Sequence, residues 1–178
     1  MANDNYPWYE IVEGDSLEQG DILFACPVIL PIPELTFPIA DDETLVDIRY
    51  FDVIIMTQSC DLANENKLED IILCPHWDLI QASKTDLSLG KNAWKSILRG
   101  HKYRYTLLEG WDGNEISMGT RVVDFGGILS LPRSFITQFA ISQGKRLRLC
   151  PPYREYLSQS FARFFMRVGL PQDIRLPE

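Results

Sequence analysis

The chain has 178 residues and a formal net charge of -8, with 46% hydrophobic and 24% charged residues. That length suits a core of ordinary size, and the apolar content excludes disorder along the whole chain. No run approaches the ~18 apolar residues of a membrane span, and the start, MANDNYPWYE, has neither a basic nor an apolar signal region, so a cytoplasmic protein without membrane contact is expected.

Residues 1–16 are polar, with Tyr6, Trp8 and Tyr9 among them, and are expected to lie as an arm across the body. Leu17 to Asp21 is a turn, and Ile22 to Leu30 is the first apolar strand, interrupted by Pro27. Pro31, Pro33 and Pro38 mark 31–43 as a loop that ends in Asp41-Asp42-Glu43. Thr44 to Thr57 is β-rich and becomes fully apolar at Val53 to Met56, so its end should be buried. Gln58 to Asp70 is a polar loop, and Ile71 to Cys74 is a short buried strand.

Ser88 predicts the cap of a helix running to Arg99, stopped by Gly100. Tyr103–Leu108 and Ile116–Phe125 are expected to form a hairpin around Trp111 to Asn114. Ile128 to Leu131 is a further strand, 134–142 fits strand or helix, and Lys145 to Cys150 is a strand. Pro151-Pro152 opens a helix from Tyr153 to Val168, closed by Gly169 and Pro171. Its stripe of Tyr153, Leu157, Phe161, Phe164, Phe165 and Val168 is core packing, with Arg154, Arg163 and Arg167 turned away. Short strands with one or two helices predict an α+β, mainly β domain spanning 1–178: an arm (1–16), a small barrel or bent sheet (17–150) with a helix inserted near 88–99, and a C-terminal amphipathic helix (151–169).

Cys26, Cys60, Cys74 and Cys150 form no CxxC pair, and reduced, mostly buried thiols are expected. A zinc site assembled from Cys26, Cys74, His76 and Cys150 is the alternative, but its spacing departs from structural zinc sites. No cofactor and no metal are assigned.

Charge is divided along the chain. Residues 1–90 carry 18 acids against three bases, whereas 91–178 carry 14 bases against seven acids. Lys145, Arg146 and Arg148, followed by Arg154, Arg163 and Arg167, are the densest basic group, and Glu155 is the only acid between Gly126 and Gly169. Such a group serves to neutralise phosphates, to bind an acidic protein, or to pair with the acidic half of its own fold. Basic residues beside aromatic ones, as in Arg104-Tyr105 and Tyr153-Arg154, keep nucleic acid among the candidate partners.

Three blocks carry a family resemblance: Gln19-Gly20-Asp21-Ile22-Leu23, then Asp52 to Thr57, then Ile71 to Pro75. Their order resembles the PemK/MazF ribonuclease toxins, in which an SH3-like barrel begins with a Gly-Asp-Ile/Val strand. The resemblance covers the first half of the chain and implies an SH3-like small barrel. It also implies company with bacterial toxin or phage-defence systems, CRISPR-associated ones included. The family's catalytic Arg-Pro pair is replaced here by Phe51-Asp52, and His76-Trp77-Asp78 follows Pro75 where a threonine is expected. Arg49 lies two residues early, on the same strand face. A diverged endoribonuclease would therefore have to use Arg49 and Thr57.

Thr57-Gln58-Ser59-Cys60-Asp61-Leu62 is a polar cluster at the end of a buried strand, similar to a segment of uncharacterised bacterial proteins. Cys60 as nucleophile, His76 or His101 as base and Asp61 as orienter would make a thiol site; Ser59 or Asp61 as a turn cap, with Cys60 filling a gap, is the structural alternative. Taken together, a non-catalytic interaction module that binds another bacterial protein is expected, with an endoribonuclease or nucleic-acid binder as the alternative.

Overall fold

The computed structural model describes residues 6–32, 46–64 and 68–166. Ten strands alternate with helices: β1 (Tyr9–Val12), β2 (Ile22–Pro31), β3 (Val46–Ile55), α1 (Ser59–Leu62), β4 (Asp70–Asp78), α2 (Leu79–Thr85), α3 (Lys91–Leu98) after a short 3-10 turn, β5 (Tyr105–Leu108), β6 (Trp111–Asp112), β7 (Ser117–Met118), β8 (Arg121–Asp124), β9 (Leu129–Pro132), α4 (Arg133–Gln143), β10 (Arg146–Leu149) and α5 (Tyr153–Phe165).

The main sheet runs β2-β3-β4-β8-β5, all antiparallel, with β9 paired to the start of β4. β4 serves three neighbours in turn. Asp70 to Leu73 meets β9, Leu73 to Pro75 meets β3, and His76 to Asp78 meets β8. Alternation along the strands sends Ile22, Ile54 and Cys74 into one core with Leu147, Leu149 and Leu157. It sends Leu23, Val53, Ile55 and Leu73 into a second core with Ile136 and Ala140 of α4. A third core, of Leu79, Leu89, Ile97 and Val122, lies under α2 and α3.

The arm of residues 1–16 contributes a strand. β1 pairs with β10 from Tyr9↔Leu149 to Val12↔Arg146. Gly20 stands against this ladder at φ +88, and a Cβ there would lie 2.9 Å from Leu149 Cβ, so close approach and left-handed backbone both require glycine.

The fold is mixed α+β and mainly β. The expected small barrel is corrected: among the described residues the main strand path ends at β2 and β5, which do not pair, and a single bridge, Asp21↔Arg148, links it to the β1–β10 ladder. The sheet is instead covered on both faces by helices, α5 packing on the core of Ile22 and Ile54 and α4 on the opposite core of Leu23, Val53 and Ile55. The inserted helix starts at Lys91 with Gly90 as its cap, not at Ser88, because Asp86 accepts the Ser88 N–H and holds 87–89 in a separate turn. The segment 134–142 is helical, within α4. The predicted end of the last helix, including Arg167, Val168 and Gly169, lies outside the described residues. No described helix is long and apolar enough to cross a membrane.

Candidate functional site

The basic group at 145–148 is dispersed by the fold. Arg146 and Asp21 are both wholly buried and joined by a 2.8 Å bond from Nε to Oδ2. Arg148 donates to both Asp21 oxygens and to Glu18 Oε1, at 2.5, 3.0 and 2.9 Å. Arg154 Nη1 reaches Glu18 Oε2 at 2.9 Å, and Lys145 pairs with Glu115 at 2.6 Å on the surface. Of the three roles open to these bases, pairing with the acidic half is the one Arg146, Arg148 and Arg154 perform. Asp21 stands just before β2 and faces β10 across the bridge, and Arg146 and Arg148, two residues apart on β10, share the face turned onto it. Arg146 and Arg148 therefore present no surface to a phosphate; Arg163 alone of the helix arginines is exposed, Arg167 lying outside the described residues.

The thiol constellation is not assembled. Cys60 is exposed on α1 and lines a hollow with Glu18, Ser59 and Arg133, a hollow that neither His76 nor His101 lines. Its Sγ lies 3.7 Å from Gln58 Oε1 and from Asp61 Oδ1. Thr57 is spent on structure, its Oγ1 accepting the Ile72 N–H at 2.8 Å. Arg49 is exposed and bonds Asp47 at 2.7 Å, away from Thr57's buried position. Cys26 and Cys74 belong to different cores. Among the described residues no three metal-ligating side chains converge. Burial pushes the Cys26 thiol up to about 11 and Cys74 to about 12, with the Asp124 charge adding to the latter.

His76 is buried beneath a polar cleft of about 680 Å³ lined by Asp52, Asp78, Arg104, Tyr105, Arg121 and Asp124. Arg121 Nε donates to His76 Nδ1 at 2.9 Å, and its Nη2 bonds Asp52. Because a guanidinium cannot accept, Nδ1 must be the unprotonated nitrogen, which leaves the proton on Nε2. Burial first, and the Arg121 charge second, hold His76 well below the usual imidazole range. It is a buried, neutral acceptor of the Arg121 N–H. Arg104 closes the other side of the cleft with two 2.7 Å bonds to Asp124.

The exposed positive surface lies elsewhere. From Leu87 to Leu108 there is no acid, and Lys91, Lys95, Arg99, Lys102 and Arg104 fall on or beside α3. This run was legible as an uninterrupted basic segment, but the denser 145–148 cluster masks it in a count by charge density. α3 buries Ala93 and Ile97, which leaves Lys95 one turn before Leu98 and Arg99 on its outer side. Between α3 and α5 lies an apolar groove of about 560 Å³, whose walls include Trp8, Ile97, Leu98, Leu107, Tyr153 and Tyr156. Trp8 stacks on Tyr153 at 3.7 Å between ring centroids and stiffens its floor. A smaller hollow beside it shares Ile97 and Tyr156 and adds Lys102, Tyr103 and Arg163. Glu155 lines the groove itself, so its apolar depth suits a large apolar side chain, with a carboxylate of the same segment turned toward Lys102 and Arg163 in the smaller hollow. Comparison with protein-family models, with curated proteins and with solved structures returned no match.

Proposed function

We propose that this protein is a non-catalytic interaction module whose α3–α5 groove takes an acidic, apolar-anchored segment of another bacterial protein, within a toxin-like or defence system. The observation that carries the reading is the exposed groove itself, floored by the Trp8–Tyr153 stack, with Glu155 on its own wall and Lys102 and Arg163 in the adjoining hollow. An aromatic or leucine anchor would fill the apolar depth, and carboxylates beside it would meet Lys102 and Arg163. The test is affinity purification of the tagged chain from its host with nuclease present, repeated with Leu98→Asp and with Arg163→Glu. A stoichiometric protein lost from both variants supports the groove; a partner retained by both refutes it.

A second reading rests on Tyr103, which is exposed and follows Lys102 in the chain, an aromatic beside a cation on which a base would stack. In that reading the chain binds RNA or DNA, and affinity falls steeply with salt. The PemK/MazF-like ancestry is proposed on the resemblance alone, the three blocks being the start of β2, the end of β3 and the middle of β4, adjacent in one sheet. An endoribonuclease descended from it would arrest growth on expression, and Arg49→Ala would abolish the arrest.

A further inference from the structure

The outer halves of β2 and β3 form a two-stranded ribbon. From Cys26↔Phe51 to Pro31↔Val46 the register runs without a shift, while β4 meets β3 only at Val53 to Ile55. Directly opposed residues share a face. Pro27, Ile29 and Pro31 therefore lie with Val46, Ile48 and Tyr50 on one side, and Ile29 and Tyr50 are 65% and 69% exposed. A two-stranded ribbon with an open apolar face is marginal in water by itself.

Its two edges differ chemically. The Ile55 N–H goes to Asp21 on the β2 side and the Met56 N–H to Ile72 on the β4 side. Alternation back along β3 sends the N–H and C=O groups of Val46, Ile48 and Tyr50 to the edge away from β2. The same alternation puts Pro27, Ile29 and Pro31 on the outer edge of β2, where two of the three have no N–H, so that edge is blocked. Among the described residues the β3 edge has no strand against Val46 to Tyr50.

We propose that this edge pairs antiparallel with the same edge of a second copy, about a two-fold axis at Ile48. That register sets Ile48 against Ile48 and Val46 against Tyr50, and it opposes Asp47 to Arg49 twice. Centring on Asp47 would oppose two aspartates, and centring on Arg49 two arginines, so charge selects the Ile48 register. Asp47 and Arg49 already bond each other within one chain at 2.7 Å on the exposed surface; in the dimer each gains a partner across the strands. The apolar faces of the two ribbons then join into one four-stranded surface. The site is separate from the α3–α5 groove, and the two proposals stand or fall independently.

The test is sedimentation of the full chain from about 1 to about 100 µM, a range that brackets micromolar association. A dimer is expected for the native chain and a monomer for Ile48→Lys, which sets two ammonium groups directly opposite each other at the axis. Asp47→Arg opposes arginine to arginine twice and should weaken association about tenfold at ~0.5–1 kcal/mol per pair, while Asp47→Arg with Arg49→Asp should restore it. Circular dichroism reports folding of each variant, and if Ile48→Lys fails to fold, the charge exchange alone decides. A native chain that stays monomeric throughout, a dimer indifferent to Ile48→Lys, or a double exchange that fails to recover overturns the proposal.

Discussion

Asp21→Asn is the perturbation that most directly tests how the two charge halves meet. The carboxylate accepts from Arg146 Nε at 2.8 Å and from Arg148 Nε and Nη2 at 2.5 and 3.0 Å, and Asp21 and Arg146 are both 0% exposed. Substituting the amide keeps the shape but leaves the buried Arg146 guanidinium without its balancing charge and Arg148 with only the half-buried Glu18. Breaking a buried pair in this way costs about 3–5 kcal/mol, a large part of the ~5–15 kcal/mol that typically stabilises a domain. Arg146→Met should cost less, because Asp21 keeps Arg148 and the Ser16 carbonyl keeps the Arg148 Nη2 bond. What it removes is the 2.9 Å bond from Arg146 Nη1 to the carbonyl of the exposed Gly14, which water can replace, a loss of about 0.5–1.5 kcal/mol. The assay is urea unfolding followed by tryptophan fluorescence. At a slope of ~2 kcal/mol per molar, Asp21→Asn should move the midpoint down by roughly 2 M. Equal losses for the two variants, or an Asp21→Asn loss below about 1 kcal/mol, would refute the reasoning.

Further predictions follow from other buried groups. Thiol-reactive dye at pH 8 should label Cys60 rapidly in the native protein and leave Cys26 and Cys74 unmodified until denaturant is added, since burial holds those two protonated at that pH. His76 takes up a proton in the unfolded chain near 6.5 but well below that when folded. Stability is therefore lost as pH falls below 6.5, by up to about 1.4 kcal/mol per pH unit, and a stable His76→Gln variant should show a shallower acid slope between pH 6.5 and 5. Tyr9 donates its hydroxyl to the Glu109 carbonyl at 2.7 Å from a buried position; Tyr9→Phe should cost about 1 kcal/mol in the same urea titration. Gly20→Ala should destabilise by more than a surface substitution, because it adds a 2.9 Å clash with Leu149 to an unfavourable φ.

What the chain declares locally and what it decides globally separate cleanly here. Strand alternation in 22–30 and 44–57, the turn residues around Gly113 and the stripe of α5 are near-neighbour properties, set by sterics and periodicity within about ten residues. They were legible, and most of α5 and the β5–β8 pairing form there. Trp111–Asp112, expected in the turn, instead pairs with Ser117–Met118 as β6–β7, and the expected strand 116–125 is divided into β7 and β8. The destination of a charge is not local. In the sequence Arg146 and Arg148 fit a binding surface or a pairing with the acidic half, and only the fold names the partner, Asp21, 125 residues from Arg146 in the chain. Burial then turns a surface charge into a structural pair. His76 likewise reads as a base beside Cys60, yet the sheet turns it inward onto Arg121, which arrives from β8. The barrel was a matter of edges: local pattern predicts strands but not which edges remain unpaired. Only once the strands are ordered does β2 carry two prolines on its outer edge while, among the described residues, no strand pairs with β3 at Val46 to Tyr50 on the edge away from β2. Backbone pattern is written in neighbours, whereas burial, pairing of charges and unpaired edges depend on residues brought together by the whole fold.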